Sequence, residues 1–252
     1  MTEIFILSFV QGVAEFIPVS SSSHLILISD YIKFDNRGLS IDVSLHIGSF
    51  LGVITFFYKD IFEFVKNREI FFKIFISSIP VMVVGFLLVE TDLINNLRSI
   101  KIIGWTTLIF GILLYLSDKF KLERDLDKNF SYKAVIIIGV AQVLSLVPGV
   151  SRSGIVITAA RFLNFKRKDS AKISFLLSIP TLGAVSIFGI KNHLDSFDLN
   201  FSIINFVSIA ASFVFSYLTI KFFLIYIKRF SLTAFVIYRI LLSGIILYSI
   251  YL

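Results

Sequence analysis

The chain contains no cysteine, which excludes disulfides and thiolate chemistry and leaves its redox compartment unmarked. Charge is scarce as well: only 16% of the 252 residues are Asp, Glu, Lys or Arg. Proline occurs four times and histidine three times, so each position they hold is informative. What fills the chain instead is apolar, with 56% hydrophobic residues, 29 phenylalanines and a mean hydropathy of +0.89. A soluble domain of this size could not cover that much apolar surface, and several runs approach the roughly 20 residues needed to cross a bilayer. The composition implies a polytopic membrane protein. The net charge of +7 sits in short loops between apolar runs, the pattern of membrane orientation, so nucleic acid is not an expected partner. Glu3, with no Lys or Arg ahead of the first apolar run, argues against a cleaved signal peptide.

Six runs read as full crossings, at about 45–57, 71–89, 102–116, 173–190, 201–226 and 233–252. Two further apolar regions, about 4–28 and 134–163, are each broken in a similar way. In the first, Gly12-Val13-Ala14-Glu15 runs into Pro18 and then Ser20-Ser21-Ser22-Ser23-His24. In the second, Gly139-Val140-Ala141-Gln142 runs into Pro148-Gly149 and then Ser151-Arg152-Ser153-Gly154. A duplicated, interrupted hydrophobic segment points to a binding site inside a membrane.

Charge decides how the broken regions are threaded. Of 24 Lys and Arg, four (Arg152, Arg161, Lys221 and Arg239) lie within apolar segments. If both broken regions are re-entrant pairs, the remaining loops divide 15 to 5, the five being Lys33, Arg37, Arg98, Lys101 and Lys191. That bias places the richer side in the cytoplasm. A single crossing by the second region would put the basic loops 119–133 and 166–172 on opposite faces. The expected fold is therefore all-α and integral to the membrane, with six transmembrane helices plus two re-entrant helix pairs. Three crossings per half is an odd number, so the second half is inverted relative to the first. The whole of residues 1–252 reads as a single membrane domain, with repeat one at about 1–117 and repeat two at about 131–252.

The chemistry follows from the breaks. Pro18 and Pro148 stop the incoming half-helices, and serines then cap the outgoing ones by accepting from exposed N–H groups. Such a terminus is an anion site, which makes Ser20, Ser22, Gly149, Ser151 and Ser153 candidate substrate contacts. Arg152 at membrane depth costs about 2.5–3.5 kcal/mol on insertion scales, so a partner or ligand is expected for it. Its planar fork suits phosphate oxygens. Glu15 is the only carboxylate between Ile4 and Ser29, and Gln11, four residues earlier, faces the same way on a helix. His24 lies within one helical turn of Ser20 and Ser21. Carboxylate, hydroxyl, imidazole and guanidinium (Glu15, Ser21, His24 and Arg152) form a set able to transfer a phosphoryl group, with Ser21, His24 or a water as the attacking group. An anion transporter would use the helix termini and Arg152 but has less use for Glu15. A secondary transporter or flippase for an anionic lipid or other anion is the alternative reading.

The segment from Gln11 to His24 resembles the first signature of the bacterial undecaprenyl-diphosphate phosphatases, the BacA/UppP family linked to bacitracin resistance. Pro148 to Gly154 resembles the second. Asp42–Gly48, Phe175–Pro180 and Tyr238-Arg239 also look like family positions, so the resemblance covers nearly the whole chain. It implies removal of the terminal phosphate of undecaprenyl diphosphate, recycling a lipid carrier for peptidoglycan synthesis. It also implies a divalent cation, Mg or Ca, a bacterial cytoplasmic-membrane location and an active site toward the outer face. Carried over by motif, Glu15, Ser21, His24 and Arg152 are the catalytic residues. Gln11 stands where many members have glutamate, and Ser22-Ser23 where Thr-Gly is frequent. One carboxylate remains, so a cation would be held largely by Glu15 and the substrate's own oxygens.

Other residues have plainer readings. Gly12 and Gly139 suit close helix approach. Arg161 and Lys221 can snorkel to the interface. Arg239, deeper in the last run, calls for a partner such as a buried acid. His46 reads as a satisfied histidine rather than a ligand, Asp42 as a helix cap and Trp105 as an interfacial anchor.

Overall fold

The structure is a computed structural model, described over residues 1–32, 39–66, 68–120, 124–195 and 203–251. Lys33, Arg37 and Lys121, which enter the charge count, lie outside those residues. Every strand-free stretch of lipid-facing backbone must satisfy its own N–H and C=O groups, and helices do this within one segment. Accordingly the described residues form helices and no strand. In chain order they are α1 (Thr2–Ala14), α2 (Ser21–Ile32), α3 (Leu39–Phe56), α4 (Tyr58–Lys66), α5 (Arg68–Glu90) and α6 (Ile100–Asp118). There follow α7 (Leu126–Asn129), α8 (Tyr132–Val143), α9 (Arg152–Phe162), α10 (Arg167–Asp195), α11 (Ile203–Arg229) and α12 (Thr233–Tyr251).

Five of these helices, α5, α6, α10, α11 and α12, are long and apolar enough to cross a membrane. They coincide with five of the six expected crossings. The sixth expected crossing falls on α3, a shorter apolar helix carrying Asp42, Ser44, His46 and Ser49 among its apolar residues. Asp42 lies within the first turn of α3 rather than ahead of it as a cap. The short helix α4 was not expected. It mixes Lys59, Asp60 and Glu63 with Ile61 and Phe62, and Asp60 pairs with Lys172 at 2.6 Å.

The two broken regions fold as α1–turn–α2 and α8–turn–α9. Their incoming helices stop before the prolines: α1 ends at Ala14, and α8 ends at Val143 with a 3-10 turn over Leu144–Leu146. Each outgoing helix begins immediately after a serine with positive φ, Ser20 at 78° and Ser151 at 71°. A non-glycine residue in that region costs on the order of 1–3 kcal/mol and persists only where surroundings impose it.

Small residues set the helix packing. A Cβ on Gly12 would lie 2.6 Å from Phe215 Cβ of α11, and one on Gly139 would lie 2.5 Å from the Ser77 carbonyl of α5. Close approach is thus the role of both glycines. Between α3 and α11, Gly48 faces the Ile209 carbonyl, and Ser49 bonds Ser212 and Ser216, each at 3.1 Å. Without water to compete, such serine seams and close backbones replace hydrophobic burial as the cement between helices. The centre is formed by α9 and α10. Residues Ser153 to Arg161 are all buried, and 61% of the apolar window of α10 is buried against 22–33% in the other four spans.

Two of the three cations, Arg161 and Arg239, depart from their expected settings. Arg161 does not snorkel: it is fully buried, donating to the carbonyls of Asp118 at 2.8 Å and Phe165 at 3.3 Å and pairing with the Asp118 carboxylate at 2.9 Å. Asp118 also takes Arg167 at 2.7 Å and the Leu232 N–H at 3.0 Å. That one carboxylate ties the ends of α6, α9, α10 and α12, a junction strong enough to hold a guanidinium away from solvent. Lys221 is exposed, as snorkelling requires. Arg239 is fully buried too, yet its partners are carbonyl oxygens rather than an acid.

Candidate active site

Glu15 caps α1, and its carboxylate is buried beside the tip of the second broken region. Arg152, the first residue of α9, donates to Glu15 Oε1 from Nη2 at 3.0 Å and from Nε at 3.3 Å. Ser21, the first residue of α2, donates to Glu15 Oε2 at 2.7 Å. The two outgoing helices therefore present their first side chains to opposite oxygens of one carboxylate. Arg152 also donates to the carbonyls of Ser174 at 3.0 Å and Glu15 at 3.4 Å. Four of its five N–H groups are thereby engaged, leaving one and the charge itself for an anion.

The backbone of the two tips interlocks around this pair. The Gly149 N–H donates to Ser20 Oγ at 3.3 Å, and Ser153 Oγ donates to the Ile17 carbonyl at 2.8 Å. Ser151 caps α9 by accepting from the Gly154 N–H at 3.1 Å. Ser20 Oγ also meets Ser22 at 3.3 Å and Ser23 at 3.1 Å. Gly149, at φ 94°, lies so close to α6 that a Cβ would strike Thr106 Oγ1. Arg239 donates across the junction, to Pro18 on one tip at 3.2 Å, and on the other to Gly149 at 2.7 Å and Val150 at 3.1 Å. A fourth bond reaches Thr107 of α6 at 3.2 Å. Carbonyls at broken helix ends are orphan acceptors, and a guanidinium supplies enough donors to satisfy several at once.

A cavity of about 180 Å³ opens on the carboxylate. Glu15, Ser20, Ser21, Ser22, Ser151 and Arg152 line it, together with His46, Thr181 and an apolar rim of Val81, Leu146, Leu182 and Val185. The arrangement gives one hydroxyl bonded to a carboxylate, one guanidinium and two helix N-termini around a pocket with an apolar edge. This is what holding an anionic head group on an apolar tail requires.

Not every candidate sits in that wall. Gln11 is fully buried behind it, donating to Glu15 Oε2 at 3.1 Å. Gly149 and Ser153 serve the interlock described above. His24 is not among the lining residues. Its Nδ1 lies 2.6 Å from the Ser20 carbonyl and carries a proton, and in the neutral ring Nε2 then accepts from the Tyr238 hydroxyl at 2.5 Å. The His24 and Tyr238 rings stack with centroids 5.6 Å apart.

The family of the bacitracin resistance protein BacA matches residues 4–246 of the chain. The chain belongs to the BacA family. A relative named undecaprenyl-diphosphatase, from Pelagibacter ubique (strain HTCC1062), is 48% identical over 251 residues, covering 99% of this chain and 97% of the relative. Two more of that name, from Jannaschia sp. (strain CCS1) and Hahella chejuensis (strain KCTC 2396), are 35% and 37% identical over 97% and 99% of this chain and 96% and 98% of theirs.

In this BacA-family chain two residues escaped the functional reading of the sequence. His46 lines the cavity although it reads as a satisfied histidine. The signal containing it was the stretch Asp42–Gly48, which resembles family positions. Tyr238 orients His24, and its only sequence mark was the same kind of resemblance.

Proposed function

We propose that the chain is a membrane phosphatase that hydrolyses undecaprenyl diphosphate to undecaprenyl phosphate and inorganic phosphate. That reaction returns a lipid carrier to peptidoglycan synthesis and underlies bacitracin resistance. The observation that carries the site assignment is the chain of contacts Ser21–Glu15–Arg152 at the meeting of two broken segments. In this reading Ser21 Oγ attacks the terminal phosphorus as its proton passes to Glu15 Oε2. The bond from that phosphorus to the bridging oxygen breaks, and undecaprenyl phosphate leaves. Water then splits the phosphoserine, returning inorganic phosphate and the serine hydroxyl. Arg152 and the N–H groups opening α2 and α9 hold the charge that develops on the phosphoryl oxygens, which is most of what phosphoryl transfer asks of a protein. His24 acts from the far side of the serine turn, fixing the Ser20 carbonyl and so the position of Ser21.

A divalent cation, magnesium or calcium, belongs to this proposal in one form only. Glu15 is the single carboxylate on the cavity wall, and no group of three His, Asp or Glu among the described residues could cage a metal. The donor set fits a cation that arrives largely ligated by diphosphate oxygens and water, with Glu15 as its protein ligand. Such a cation would supply charge neutralisation.

The finer topology belongs here as well. In it α3, α5, α6, α10, α11 and α12 cross the bacterial cytoplasmic membrane, and the pairs α1/α2 and α8/α9 are re-entrant from opposite leaflets. Three features support two inverted repeats: the 15-to-5 division of basic residues, the packing of α1 on α11 and of α8 on α5, and the matched glycines Gly12 and Gly139 at those contacts. The head group would be handled toward the outer face, with the polyprenyl tail in the bilayer beyond the apolar rim.

The test is phosphate release from undecaprenyl diphosphate by purified protein in detergent, where no gradient exists. Release above an enzyme-free blank is expected, with Ser21→Ala and Glu15→Gln each reducing it by about 100-fold or more. Wild-type protein indistinguishable from the blank would leave the transporter reading standing instead.

A further inference from the structure

His46 sits on α3, away in sequence from both broken segments, yet it lines the cavity together with Glu15, Ser21 and Arg152. Its Nδ1 lies 3.1 Å from Gln11 Nε2, and the same amide nitrogen lies 3.1 Å from Glu15 Oε2. These two distances fix the hydrogens. A carboxylate paired with Arg152 has only lone pairs to offer, so the end of the Gln11 amide facing it must be the NH₂ group. One amide hydrogen goes to Glu15, and the second goes to His46 Nδ1 at 3.1 Å rather than to the more distant Ser49 Oγ at 3.5 Å, whose own partners are Ser212 and Ser216. Nδ1 is then an acceptor, and the neutral ring carries its proton on Nε2. Among the described residues Nε2 has no hydrogen-bond partner. The imidazole is held by one nitrogen, and the other is left with a donor for whatever occupies the cavity.

Building on the phosphatase reading above, we propose that His46 is a further substrate-contacting residue, donating from Nε2 to a phosphate oxygen, and that Gln11 is the positioning residue that sets its tautomer. The division of labour between the two glutamine hydrogens explains why a glutamine serves at position 11. One side chain restrains the catalytic carboxylate and poises a neutral donor at once. A neutral N–H adds a hydrogen bond to the diphosphate without a second fixed cation beside Arg152. It holds product phosphate less tightly than an imidazolium would.

The experiment separates a donor from a packing residue by shape. In His46→Asn the amide oxygen can replace Nδ1 as acceptor for Gln11, while the donor toward the cavity is lost. In His46→Gln the longer side chain returns an N–H near the position of Nε2. Phosphate release from undecaprenyl diphosphate is measured for both, with detergent gel filtration to confirm folding. The expected result is a fall in kcat/KM of about 10- to 100-fold for His46→Asn, with recovery to within several-fold in His46→Gln. An unchanged His46→Asn, or a His46→Gln variant no better than it, would overturn the proposal.

A second measurement uses the unmodified protein. With only three histidines in the chain, ¹⁵N chemical shifts report each tautomer. His46 should be protonated on Nε2, and that signal should move when inorganic diphosphate is added. An Nδ1-protonated ring, or one indifferent to diphosphate, also overturns the proposal. If wild-type protein releases no phosphate at all, the phosphatase reading fails. If it does and His46→Asn matches it, only the role of His46 fails.

Discussion

The two broken segments share a plan and differ in what they carry. Each turns at a serine with positive φ, and each starts its outgoing helix at the next residue, Ser21 in one and Arg152 in the other. Where the first has Glu15, the second has Gln142 at the matching place in the motif. The second is sealed: α9 is buried from Ser153 to Arg161, and Arg161 anchors its far end on Asp118. The first is open: Ser21, His24 and Ile26 to Ile28 of α2 are only partly buried, and Ser22 is exposed. In the proposed phosphatase reading the second tip supplies the clamp, a fixed charge on a rigid post, and the first supplies the reactive hydroxyl and carboxylate on a more accessible turn.

The sharpest break in that comparison is Arg152→Ala. Removing a guanidinium from developing phosphoryl charge costs about 10³-fold or more in kcat, and it also leaves Glu15 buried without its counter-charge. Phosphate release by folded Arg152→Ala protein near the wild-type rate would refute the clamp. Next comes Arg239, which joins the tips without touching the cavity. Arg239→Met should strip the donors from four buried carbonyls and destabilise the protein by about 3 kcal/mol or more. Thermal unfolding in detergent measures this, and Arg239→Lys, with the charge but not the fork, should recover only part of the loss.

A matched pair tests the equivalence of the halves directly. Gly12→Ala and Gly139→Ala each place a methyl against a neighbouring backbone, so each should cost about 1–3 kcal/mol of stability. Unequal effects would mean that the two helix contacts are not counterparts. The smallest change expected is from Tyr238→Phe, which removes only the hydroxyl donated to His24. A single hydrogen bond of that kind is worth about 0.5–1.5 kcal/mol, so activity should fall about 2- to 10-fold while stability holds. An equal loss of thermal stability would make Tyr238 a packing residue.

The sequence made the breaks legible because proline, glycine and charge are rare against its apolar background. Glu15, Ser21 and Arg152 announced themselves in that way, and the structure brings them into contact. His46 could not be read so easily, because its place at the cavity depends on the register of α3 against α1, which spacing along one helix does not reveal. The depth of Arg239 in its apolar run marks a buried partner without saying which kind, and an acid is only the commonest choice. Its partners are carbonyls freed where helices break, and a carbonyl leaves no mark in the choice of side chain. Arg161 looked like an interfacial residue because it stands near a helix end. The inward fold of that end, onto Asp118 43 residues earlier, is a tertiary fact.

The ion pair between Glu15 and Arg152 joins residues 137 positions apart, one from each half of the chain. Neither half, made alone, would contain both members of the pair. The pair forms only when both segments are folded against one another, so completion of the site waits on the last long-range packing of the chain.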